Sequence, residues 1–192
     1  NLCNRQCLIN RYETVGFCKQ KNKIKIAKAC LTYFEEPCIS NHKGSGTIFF
    51  SGCNMGCVFC QNKKISTNNY GIEISIKKLA KIMLDLQTKG AININLVTPT
   101  THVIGIIKAI KIAKNNGLTI PIIYNTSSYE TVDTIKLLDG LIDVYLPDLK
   151  YYDDTLAFKY SNCKNYFQVA TSAIYEMYKQ VGRPRFDDKG IL

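Results

Sequence analysis

The stretch Gly46-Thr47-Ile48-Phe49-Phe50-Ser51-Gly52-Cys53-Asn54-Met55-Gly56-Cys57-Val58-Phe59-Cys60 decides how this chain of 192 residues is read. Gly46 to Phe50, rich in β-branched and aromatic residues, predicts a short buried strand. Three cysteines follow at spacings of four and three, in a tight turn loosened by Gly52 and Gly56. The thiols therefore sit on a loop leaving the end of a strand. Thiolates so close together must pair, bind metal or repel one another, and three of them can hold three corners of an iron–sulfur cube. A tetrahedral zinc site wants a fourth ligand, and Gln61, Asn62, Lys63 and Lys64 offer none at close spacing. Three ligands to four irons leave one iron open to something that is not protein, which points to chemistry rather than architecture. The competing reading is a disulfide with a spare thiol.

Length and composition narrow the class. A chain of this size suits one domain with a sizeable core. No apolar run approaches the ~18 residues of a membrane span, and no charged-then-apolar leader opens the chain, so a cytoplasmic protein is expected. Nine cysteines, clustered and odd in number, favour reduced metal-binding thiols over a disulfide scaffold. The 25 basic and 15 acidic side chains give a net charge of +10, which raises a nucleic-acid reading. The lysines are spread along every segment (Lys19, Lys21, Lys23, Lys25, Lys28, then Lys77, Lys78, Lys81), and Asn and Ile are abundant too. Solvated faces explain the charge better than a nucleic-acid groove.

Outward from the thiol loop, the pattern alternates. Ser75 caps an expected helix through Lys89, with Ile76, Leu79, Ala80, Ile82, Met83 and Leu86 on one face and Gly90 at its end. Ala91–Val97 reads as a strand stopped by Thr98-Pro99. A helix bearing Val103, Ile106, Ile107, Ile110 and Ala113 follows, then a strand at Ile120–Tyr124, a helix at Ser128–Leu138, a strand at Leu141–Leu146 and a helix at 165–180. Strand and helix in alternation predict a parallel sheet with helical crossovers, hence an α/β fold and a partial barrel of the TIM type. Residues 1–45 form a cysteine-containing N-terminal extension, in which Cys3, Cys7 and Cys18 give C-x3-C-x10-C. Residues 46–192 form the core. Cys30 reads as a buried apolar cysteine; Cys38 stays unassigned. The first residue is not Met, and the last ones stop where a further strand is expected to start, so the chain is read as a fragment with later strands missing.

The CxxxCxxC motif with an aromatic before its last cysteine resembles the signature of the radical S-adenosylmethionine (SAM) superfamily. The wider GTIFFSGCNMGCVFCQN resembles more narrowly the activating enzymes of glycyl-radical enzymes, in particular an iron–sulfur branch related to pyruvate formate-lyase activating enzyme. The resemblance runs over nearly the whole chain and implies a (β/α)6 barrel, here truncated. It implies a [4Fe-4S] cluster on Cys53, Cys57 and Cys60 whose open iron is chelated by SAM. An electron from the reduced cluster then splits the sulfonium, and the 5′-deoxyadenosyl radical takes a hydrogen atom from the substrate. The implied partners are SAM, a glycyl-radical enzyme or other protein substrate, and an electron donor such as flavodoxin or ferredoxin. The branch carries one more cysteine three places before the counterpart of Cys3, so Cys3, Cys7 and Cys18 are read as a second site, for zinc or a second cluster.

Site residues follow strand by strand. Phe59 corresponds to the aromatic that lies near the adenine. Where many members have a Gly-Gly-Glu type segment to meet the SAM amine, this chain has Thr98-Pro99-Thr100, so the Thr98 carbonyl and Thr100 hydroxyl are the expected acceptors. Asn125, Thr126 and Ser127 match polar positions near the ribose and methionine. Asp148 and Lys150 match an Asp-x-Lys element; together they suit a zwitterionic ligand, since either charge buried alone is costly. His102 reads as a first-turn helix residue. Two alternatives stand beside this reading: a radical SAM maturase acting on another protein or small molecule, and a zinc-binding basic nucleic-acid module.

Overall fold

In the computed structural model, which describes residues 2–192, the strand before the thiol loop is β2 (Ser45–Phe50) and lies centrally in a six-stranded sheet. With β1 (Ile24–Thr32), β3 (Ile72–Ile74), β4 (Ile94–Val97), β5 (Ile122–Thr126) and β6 (Val144–Pro147), the order is β3-β1-β2-β4-β5-β6. β2, β4, β5 and β6 run parallel, with Thr47 opposite Asn95, Asn95 opposite Ile123 and Asn125 opposite Leu146. Their carboxyl ends therefore share one rim.

The expectation of a parallel sheet holds for these four strands and not for the other flank. β1 pairs antiparallel with β2, and β3 antiparallel with β1. Lysines at positions 25 and 28 disguise β1 in the sequence. Ile24 and Ile26 point into the core, the register shifts between Ile26 and Lys28, and Ala29 and Leu31 then face the core instead. A bulge of this kind resets the alternation by one residue, which hides a strand from a period-two reading. The sheet is open, with β3 and β6 at its edges. It is not closed into a barrel. Residues 188–192, where a further strand was expected to begin, form none; the Leu192 amide instead donates to the Cys38 carbonyl at 3.0 Å.

Helices cover one face. In α3 (Ile76–Thr88), the Ser75 hydroxyl accepts from the Lys78 amide at 3.1 Å, and Leu79, Ala80, Met83 and Leu86 are buried. α4 (Val103–Asn115) buries Val103, Ile106, Ala109, Ile110 and Ala113, and α7 (Tyr166–Val181) buries Tyr166, Ala170, Ala173 and Met177. Short helices stand at Pro37–Ser40 (α1) and Lys63–Ser66 (α2). The helix expected from Ser128 shrinks to α5 (Val132–Lys136), because Ser128 is left-handed (φ 61°) and Glu130 leaves the helical path to bridge the backbone of Cys3. An additional helix, α6 (Asp154–Ser161), is capped by Asp153, whose carboxylate accepts from the Thr155 and Leu156 amides. Among the described residues, no helix is long and apolar enough to cross a membrane.

Candidate active site

The thiol loop starts from a pinned strand end. The Ser51 amide donates to Lys25 O at 2.9 Å and its hydroxyl to Tyr70 O at 2.6 Å. His102, closing the 3-10 turn Thr100–His102, places Nε2 3.0 Å from the Ser51 carbonyl and its ring 5.7 Å from that of Phe50. Burial pushes the His102 pKa from 6.5 down to about 4, with the Ser51 carbonyl opposing the shift and Arg11 adding to it. The folded chain thus holds this imidazole neutral where the unfolded chain charges it. The stability this contributes is complete above pH 6.5 and is lost as the pH falls towards about 4, a loss of about 3 kcal/mol. Urea midpoints measured across that window should fall more steeply in the wild type than in His102→Gln.

Two glycines turn the loop. Gly52 (φ 82°) and Gly56 (φ 78°) are left-handed, and a Cβ on Gly52 would lie 2.6 Å from the Cys18 carbonyl and 2.5 Å from the Gln20 amide. Gly90 has a similar φ (90°) but nothing within 4 Å. Gly90→Ala should therefore cost only the left-handed conformation, about 1–2 kcal/mol, and Gly52→Ala distinctly more. Chemical denaturation of the two variants side by side checks the difference; equal losses would mean the Cys18 contact has no weight.

Beyond the loop lies a cavity of about 390 Å³ on the carboxyl rim of the parallel strands. Cys53, Cys57, Cys60 and Phe59 line it from the loop, Thr98 from the end of β4, Asn125, Thr126 and Ser127 from β5, and Asp148 and Lys150 from β6. The Met55 amide donates to Cys53 Sγ at 3.4 Å, Ser161 Oγ donates to Cys57 Sγ at 2.9 Å, and Cys60 Sγ lies 3.3 Å from Ser66 Oγ. Burial pushes the Cys53 thiol up, the Met55 and Gly56 amides pull it down, and the Cys57 and Cys60 thiols push it up again. Loading with metal removes that penalty by taking the thiolate directly. Among the described residues, no three His, Cys, Asp or Glu side chains converge as ligands of a single ion. Three soft thiols lining one cavity, with no fourth ligand beside them among the described residues, fit an iron–sulfur cluster better than zinc.

Thr98 is left-handed (φ 57°), a strained conformation for a β-branched residue, and its amide donates to the Asn125 carbonyl at 3.0 Å. Lys150 Nζ lies 2.6 Å from Asp148 Oδ2, with the side chains 31% and 54% exposed. Tyr166, fully buried, ties two strand ends together: its hydroxyl donates to Ser127 O at 2.8 Å and accepts from the Lys150 amide at 2.9 Å. In the sequence, Tyr166 falls at the start of the helix expected at 165–180, with nothing to mark this role.

Thr100 does not reach this cavity. In the 3-10 turn after Pro99 it is buried, its hydroxyl donating to Glu130 Oε1 at 2.6 Å. Thr126 lines the cavity, yet its hydroxyl also donates to Glu130 Oε1, at 2.7 Å, and Tyr124 OH does so at 3.2 Å. Burial raises the Glu130 pKa, and these three hydroxyls oppose it. Nothing in the pattern around Glu130 marked it in the sequence. Cys163 is buried beneath the loop beside Met55, Tyr129 and Tyr166, with its thiol pushed up to about 12 by burial.

Cys3, Cys7 and Cys18 line a separate cavity of about 160 Å³ with Arg11, Thr100 and Thr101. Gly16 leaves room for Cys7, whose sulfur would lie 2.7 Å from a Cβ there. Burial raises the Cys3 thiol; the Arg5 amide lowers it, and Cys18, Glu130 and Cys7 raise it further. These thiols share a cavity without closing on one point.

A family model described as Radical SAM superfamily matches residues 47–185. An uncharacterized protein of Methanocaldococcus jannaschii is 34% identical over 178 residues, covering 88% of this chain and 50% of that protein. The chain spans about half the length of this curated relative.

Proposed function

The chain belongs to the radical SAM superfamily, and from that premise we propose that it reductively cleaves SAM in the manner of a glycyl-radical-enzyme activating enzyme. The observation that carries the proposal is the shared cavity, which is lined by three thiols and by polar groups from three neighbouring strand ends. When bound on Cys53, Cys57 and Cys60, a [4Fe-4S] cluster supplies one electron, taken from an external donor of the flavodoxin or ferredoxin kind, that breaks a C–S bond of SAM to give methionine and a 5′-deoxyadenosyl radical.

The chain's own residues bind and orient. Asp148 offers a carboxylate to the SAM ammonium and Lys150 a cation to its carboxylate, while the Thr98 carbonyl adds an acceptor for the amine. Asn125 and Ser127 face the ribose and methionine portion, and Phe59 the adenine. Phe49, Phe50 and Met55 contribute apolar lining, which disfavours water beside a reactive radical. The hydrogen donor is proposed to be a protein, with a glycyl-radical enzyme as the leading class.

Anaerobic reconstitution with iron and sulfide, reduction with dithionite and addition of SAM should release 5′-deoxyadenosine and methionine in equal amounts. Absence of both from a protein holding four irons would sink the assignment.

A further inference from the structure

One side chain of the N-terminal segment reaches the thiol loop. Arg5 Nε donates to Asn54 O at 2.6 Å and Nη2 to Met55 O at 2.9 Å, so it holds both residues that follow Cys53. The same guanidinium donates from Nη1 to Asn162 O and from Nη2 to Ser161 O at 3.3 Å. Phe17 closes over it, its ring centroid 3.7 Å from Arg5 Cζ. One planar group thereby joins three separate pieces of chain: the N-terminal segment, the thiol loop and the end of α6.

Ser161 carries the connection further. Its hydroxyl donates to Cys57 Sγ at 2.9 Å and meets Tyr151 OH at 2.6 Å. Arg5 thus fixes the backbone after one thiol and the residue whose hydroxyl touches another. Among the described residues, no carboxylate pairs with Arg5; the ion pairs present involve lysines. Carbonyls satisfy its donors but do not neutralise its charge, and an uncompensated, partly buried cation is costly. Nη2 also donates to Cys163 Sγ at 3.6 Å, and the thiols of the loop it grips become anionic when they take up metal.

We infer that Arg5 is a positioning residue for the cluster on Cys53, Cys57 and Cys60, locking the loop in its ligating shape and supplying a positive charge beside the cluster. The inference rests on the cluster reading given above. Arginine suits the task because its rigid fork of five donors can span several carbonyls, which a lysine ammonium cannot. A nearby positive charge stabilises the more negative, reduced cluster, so Arg5 raises the reduction potential.

The test compares wild type, Arg5→Lys and Arg5→Gln after anaerobic reconstitution, with circular dichroism of each metal-free chain as the fold check. Iron release to a chelator and the midpoint potential from EPR-monitored titration are the readouts. Folded Arg5→Gln should lose iron about tenfold faster, the scale typical of a lost outer-shell contact, and should have a more negative potential. Arg5→Lys should release iron faster too, but with a potential nearer to wild type because the charge is kept.

If Arg5→Gln does not fold, Arg5→Lys alone decides. Folded variants matching wild type in both readouts overturn the inference, and so does failure of both variants to fold, which would make Arg5 merely structural. Wild type that takes up no cluster overturns the cluster reading itself, and this inference with it. Variants equal to a loaded wild type overturn this inference alone.

Discussion

Cys57→Ala is expected to abolish cluster assembly, the four-iron EPR signal and 5′-deoxyadenosine release together. Cys53→Ala and Cys60→Ala should do the same. Each removes one of the three thiols that line the cavity, and among the described residues no group of His, Cys, Asp or Glu converges to replace it. The informative control is Cys163→Ala. That thiol lies close enough to Cys57 and Cys53 to feel their charge, so proximity alone would make it a candidate ligand. It is buried beneath the loop, however, packed with Tyr129 and Tyr166, and donates to the Ser161 carbonyl at 3.2 Å rather than facing the cavity. Cys163→Ala should therefore keep iron, EPR signal and activity. A cluster that survives loss of Cys57, or that vanishes with Cys163, would reassign the ligands.

Asp148→Asn is expected to weaken SAM binding by one to two orders of magnitude while the cluster still assembles. Charge-assisted hydrogen bonds contribute about 1.5–3 kcal/mol each, and ~1.4 kcal/mol is a factor of ten. The structure adds a specific competitor for the carboxylate, since Lys150 Nζ is already 2.6 Å from Asp148 Oδ2. A zwitterionic ligand can enter between the two, exchanging one ion pair for two. If the pair is only a half-exposed surface contact, the substitution costs at most about 1 kcal/mol of stability and leaves SAM affinity alone. Titrating SAM into the loaded variant and following the EPR signal distinguishes the cases: an unchanged dissociation constant removes Asp148 from the binding site.

The motif and the strand order were legible in different ways. Helix α3 could be read almost to the residue, because Ser75 caps it and its apolar positions recur at three and four. The parallel strands were found one to three residues off at their starts. Pro121 cannot donate to the ladder, which delays β5, and the turn at Gly140–Leu141 delays β6. β1 went unseen because its bulge breaks the alternation on which such a reading depends. The polar positions at strand ends were found by their place after each strand, yet place does not give direction. Thr100 and Thr126 are similar residues at similar positions, and both turn their hydroxyls onto Glu130.

By itself, the sequence determined the chemistry available to this protein. Three thiols within eight residues, on a glycine-turned loop after an apolar strand, restrict the possibilities through local geometry alone, whatever surrounds them. The alternation of strand and helix likewise determined that four strand ends face one way, because a helical crossover between adjacent strands returns the chain in the same direction. Only the tertiary structure decided what holds that chemistry in place. Arg5 meets Ser161 across 156 residues, Glu130 gathers hydroxyls from β5 and from the 3-10 turn after β4, and Tyr166 reaches back to Ser127 from α7. Such contacts depend on where side chains arrive in space after the chain has packed, and no periodicity or spacing along the chain encodes that arrival.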